Sequence, residues 1–108
     1  MGWVYLIIAG LLEIGWPLGL KLAWSKAGFR TVPAIAAVVL MMASGAFLFL
    51  AQRTIPMGTA YAVWTGIGAV GAFVAGIVLF HEPAHLARWL SVALIVMGIV
   101  GLKLSSGP

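Results

Sequence analysis

The chain has 108 residues, 64% of them hydrophobic and only 7% charged, with six Lys and Arg against two Glu and a net charge of +4. Asp, Asn and Cys are absent, which excludes disulfides, thiolate metal centres and N-glycosylation. A water-soluble domain of this size has too little polar surface for such a composition, so a lipid bilayer is the solvent that suits it. The basic residues form no run, so no nucleic-acid surface is expected, and they fit instead as anchors beside membrane helices.

The first apolar segment covers about 3–20, and its helix would rise about 27 Å, close to the hydrocarbon thickness of a bilayer. No basic residue precedes it, so it does not read as a signal peptide. Glu13 stands in its middle. An ionised carboxylate at that depth costs at least ~2.5 kcal/mol, so such a residue marks a functional site by default. The nearest bases in the sequence pattern, Lys21 and Lys103, fall at the expected membrane edges and offer no counter-ion there. Trp16 lies one turn from Glu13 on the same face, where its indole N–H can donate to the carboxylate. Pro17 has no N–H for the Glu13 carbonyl, and a bend in the backbone is expected at this point.

A short connection holding Lys21, Lys26 and Arg30 turns at Gly28 into a second segment at about 32–51, where Pro33 falls in the tolerant first turn. Near its middle lies Ser44, whose hydroxyl either back-bonds its own helix or reaches a neighbour. The third segment, about 57–80, places Tyr61 and Trp64 on one face, supplying two aromatic walls suited to an organic cation. Gly66, Gly68 and Gly71 follow, permitting close helix contact and a bend.

His81-Glu82-Pro83-Ala84-His85 matches the zinc-protease pattern in its letters. That chemistry needs both histidines on one face of a continuous helix. Pro83 interrupts it and is expected to start the fourth helix, leaving solvated loop histidines and no metal site. The fourth segment spans about 88–104. Ser91, Leu94, Gly98, Gly101 and Ser105 form a stripe rich in small residues that is a candidate dimer seam, with packing inside the monomer as the alternative. The reading is therefore an all-α membrane protein of four transmembrane helices forming one domain over residues 1–108. Arg53 and Lys103 fall on one side of the membrane, and Lys21, Lys26, Arg30 and Arg88 on the other. So weak a bias leaves insertion in both orientations, and hence an antiparallel dimer, open.

These features together resemble the small multidrug resistance transporters, over essentially the whole chain. The resemblance rests on Glu13 in helix one, Gly58-Thr-Ala-Tyr61-Ala-Val-Trp64 in helix three and the glycine-bearing helix four. Trp16, Leu20-Lys21, Trp64-Thr-Gly-Ile-Gly-Ala-Val-Gly71, Glu82-Pro83 and Gly101-Leu-Lys103 are most similar to the guanidinium-exporter subtype, whereas Gly15 and Pro17 depart from its commonest pattern. The resemblance implies a bacterial plasma-membrane antiporter without a cofactor, not an enzyme. It implies an antiparallel homodimer with dual topology, and a central pair of Glu13 carboxylates for which protons and a guanidinium-type cation compete. Trp16 and Ser44 would then hydrogen-bond the glutamates, and Tyr61 and Trp64 would line the site. The alternatives are an exporter of quaternary ammonium or other hydrophobic cations, a non-transporting subunit of a membrane complex, and a passive cation pore.

Overall fold

The computed structural model describes residues 1–25 and 27–105. Lys26, one of the bases counted in the orientation bias, lies outside the described residues. Four helices carry the fold: α1 (Gly2–Ala23), α2 (Thr31–Ala51), α3 (Met57–Phe80) and α4 (Leu86–Ser105). Each is long and apolar enough to cross a membrane. Helices suit such a sequence because lipid offers no partner to a backbone N–H or carbonyl, and a helix satisfies both internally.

The helix ends differ from the sequence expectation. α1 continues through Lys21 to Ala23, placing Lys21 in its last turn and not in the connection. The connection is a short antiparallel hairpin of β1 (Trp24–Ser25) and β2 (Gly28–Phe29), with Trp24 opposite Phe29 and Ser25 opposite Gly28. Gly28 supplies the turn at φ +117°, a conformation that side-chain-bearing residues rarely adopt, and Ser25 Oγ donates to its carbonyl at 3.0 Å. At the far end of α3, His81 takes the left-handed conformation (φ 56°, ψ 35°) and stops the helix. Pro83 does not start α4: the helix begins at Leu86, and the His85 carbonyl accepts from Arg88 N at 3.0 Å and Trp89 N at 3.1 Å. The proline lies instead in the irregular segment ahead of the helix, its own carbonyl accepting from Arg88 Nη1 at 3.0 Å.

Packing is centred on α1, which lies against α2 most extensively and then against α3, while α4 leans on α3. The buried core, Leu6, Ala51, Ile55, Ala60 and Val63, collects toward the end holding the start of α1 and the α2–α3 turn. Glycines set the helix spacing. A Cβ on Gly10 would come within 2.7 Å of Ile67, one on Gly68 within 2.6 Å of Glu13 Cγ, and one on Gly66 within 2.7 Å of Ile99. The Cα envelope measures 51 × 34 × 16 Å. With α4 packed chiefly on α3 and not on α1 or α2, the four helices form an open slab and not a closed bundle.

Candidate functional site

Glu13 sits on the α1 face shared by α2 and α3, and three side chains from three helices converge around it. Trp16, one turn along α1, donates from Nε1 to Glu13 Oε1 at 2.6 Å. Ser44, fully buried on α2, brings its hydroxyl to 3.3 Å from the same oxygen and 2.8 Å from the Ala9 carbonyl. Trp64 of α3 donates from Nε1 to Ser44 Oγ at 2.8 Å. The Ser44 oxygen therefore accepts from Trp64 while its single proton is placed between two acceptors, the Ala9 carbonyl and the carboxylate.

This arrangement is asymmetric. Oε1 of Glu13 receives both side-chain donors, whereas Oε2 receives none among the described residues. One oxygen is held in place and the other is available to a ligand. Close contact supports the carboxylate from behind, because α3 presents Gly68 against its Cγ and Gly71 against Ile14. The helix remains continuous through Pro17. With no N–H at residue 17, the Glu13 carbonyl lacks the i+4 donor it would have in a regular helix.

Tyr61 and Trp64 form a tilted aromatic pair with centroids 5.5 Å apart, and Tyr61 is exposed on the surface of the single chain. The hydroxyl of Thr65 bonds back to the Tyr61 carbonyl at 2.8 Å. Ser91, Leu94, Gly98, Gly101 and Ser105 are also exposed, and a Cβ on Gly98 or Gly101 would meet nothing within 4 Å. These α4 positions lie apart from the Glu13 cluster. Pro17 belongs to a different place, a cavity of about 100 Å³ between α1 and α3 that also includes Lys21, Phe80 and Glu82.

Sequence reasoning missed two features. The first is the Ala9 carbonyl, a backbone acceptor that becomes relevant only once α2 lies on α1. The second is the ion pair of Lys21 Nζ with Glu82 Oε2 at 2.6 Å, with the ammonium 4.9 Å from the Phe80 ring centroid. The spacing of 61 residues hid it, although the two glutamates of the chain and its few bases limit the possible pairs. The pairing also occupies Glu82 of the His81–His85 stretch, whose histidines are both exposed and outside the helices.

Four membrane-length helices, three of them meeting at one carboxylate well inside the first, define a multi-pass membrane protein with a polar centre. Residues 1–95 match the family described as Small Multidrug Resistance protein. Proteins named guanidinium exporter from Citrobacter freundii and Salmonella typhimurium are 55% identical over 106 residues, spanning 98% of this chain and 99% of theirs. Another of that name, from Escherichia coli strain K12, is 53% identical with the same coverage. The chain belongs to the small multidrug resistance family. It is a multi-pass transporter of the bacterial inner membrane.

Proposed function

We propose that this chain exports guanidinium and small substituted guanidinium cations in exchange for protons, by alternating access around a pair of Glu13 carboxylates contributed by two antiparallel copies. The observation that carries the reading is the half-committed carboxylate, with Oε1 fixed by Trp16 and Ser44 and Oε2 without a partner among the described residues. The naming of the close relatives as guanidinium exporters supports the substrate class. Guanidinium is a planar cation whose N–H groups suit carboxylate oxygens better than a point charge does. A proton neutralises the same oxygen, so the two ligands exclude one another and each can drive the other's movement.

The slab shape supports a second copy, because a single chain leaves Tyr61 and the α4 stripe uncovered. In this reading Ser91, Leu94, Gly98 and Gly101 form the seam between copies. Tyr61 and Trp64 line the site, and Pro17, Gly66, Gly68 and Gly71 absorb the bending that exchanges access between the two sides. All 108 residues act as one transmembrane domain. A broader pocket for quaternary ammonium cations is the second reading, favoured by the Tyr61–Trp64 pair, whose ring faces attract cations lacking N–H donors.

Substrate-evoked currents in proteoliposomes distinguish the two. Guanidinium is expected to evoke a current with the native chain and none with Glu13→Gln, while tetrapropylammonium evokes none with either. A tetrapropylammonium current would install the second reading. A guanidinium current that survives Glu13→Gln would refute the assignment to Glu13.

A further inference from the structure

A second polar region lies at the opposite end of α1 from the Lys21–Glu82 pair. The start of α1, the α2–α3 turn and Lys103 near the end of α4 border an open cavity of about 690 Å³. Its lining includes Trp3, Tyr5, Arg53, Thr54, Ile55 and Lys103. The volume falls within the ~300–1,000 Å³ of ordinary small-ligand sites. Among the described residues two basic side chains, Arg53 and Lys103, line it together with Met1. The Arg53 guanidinium has no hydrogen-bond or ion-pair partner among the described residues. Lys103 lies with its ammonium 4.9 Å from the Trp3 ring centroid.

We propose that this cavity is a binding site for the phosphodiester of an anionic glycerophospholipid. Arg53 and Lys103 hold the phosphate oxygens, the Thr54 hydroxyl adds a donor, and the acyl chains run down the apolar helices. Guanidinium groups match phosphate oxygens in a two-pronged geometry. Basic pockets between membrane helices suit anionic head groups, and Trp and Tyr favour the head-group level. The position selects lipid over a soluble anion, because the cavity opens where four apolar helices end and Trp3 and Ile55 form its walls. The site is separate from Glu13, so the proposal stands apart from the transport reading.

Native mass spectrometry of the full-length protein, titrated with phosphatidylglycerol or phosphatidylcholine of identical acyl chains, tests it. The native chain is expected to prefer phosphatidylglycerol. Arg53→Gln is expected to lower that preference about ten-fold, the weight of one charge-assisted hydrogen bond to the phosphate. Arg30→Gln removes the same charge from an exposed residue outside the cavity and should leave the preference unchanged. Circular dichroism of both variants verifies that the helices are retained. Absence of any preference in the native chain, or an equal loss in Arg30→Gln, would overturn the proposal. Displacement of the lipid by equimolar glycerophosphoglycerol would overturn it too, by making the free phosphoester the ligand.

Discussion

Ser44 has one hydroxyl proton, and its neighbours present two acceptors for it. At 2.8 Å the Ala9 carbonyl is nearer than the Glu13 carboxylate at 3.3 Å, while Trp64 fixes the oxygen from the third side. A small movement of α2 against α1 changes which acceptor the proton serves, so the residue couples helix position to the hydrogen bonding of the carboxylate. Ser44→Ala fits the buried space but leaves the Trp64 N–H and the Ala9 carbonyl without these partners. It is expected to lower stability by about 1–3 kcal/mol, read as a fall in Tm, and to weaken guanidinium binding in titration calorimetry. Glu13 and Trp16 were legible in the sequence, because a carboxylate in an apolar run is costly and a residue three positions on must share its face. The role of Ser44 as a junction was not. It depends on which α1 carbonyl faces α2, and that is fixed only by the packing of the two helices.

At the scale of the helices, glycine determines how near α3 approaches the carboxylate. Gly68 faces Glu13 and Gly71 faces Ile14, so a methyl group at either position pushes α1 and α3 apart. Gly68→Ala is expected to cost about 1–3 kcal/mol by overpacking and to reduce transport, measured by thermal unfolding and by proteoliposome current. Gly98→Ala meets no atom of its own chain. It should leave the monomer at least as stable to unfolding, because alanine favours the helix, and lower the yield of crosslinked dimer if α4 forms the seam. The Lys21–Glu82 pair is half exposed, with side-chain exposures of 52% and 36%. Lys21→Ala should therefore shift stability by no more than about 1 kcal/mol in the same unfolding experiment.

The four helices themselves were readable from apolar length, yet their ends were not. Lys21 continues α1 because its ammonium reaches Glu82 and the Phe80 ring while its backbone stays helical. The start of α4 at Leu86 follows from the His85 carbonyl taking up the first helical N–H groups, a detail that the preceding Pro83 disguised. The small hairpin at Gly28 was visible as a turn, and its strands were too short for any periodicity to reveal.

For the whole molecule, the thin envelope is the informative quantity. Glu13 remains partly exposed in this open arrangement, so the single chain does not enclose it on all sides. Leu94, Met97 and Val100 along α4 are 68%, 67% and 50% exposed, an apolar face covered by lipid or by a second copy. The proposed antiparallel pair predicts that tagged termini are found in comparable numbers on both sides of the membrane. A single dominant orientation would exclude it. The weak bias of the bases left this arrangement open from sequence, whereas the open slab with its uncovered α4 face became visible only in three dimensions.

If one carboxylate oxygen serves proton and guanidinium in turn, the cation must displace protons as it binds. Guanidinium is titrated into the purified protein by calorimetry in buffers of different ionisation enthalpy, over a range of pH. A measurable release of protons is expected as the cation binds the native chain, with both binding and release lost in Glu13→Gln. Guanidinium binding without proton release at any pH would contradict it, because the two ligands would then occupy separate sites.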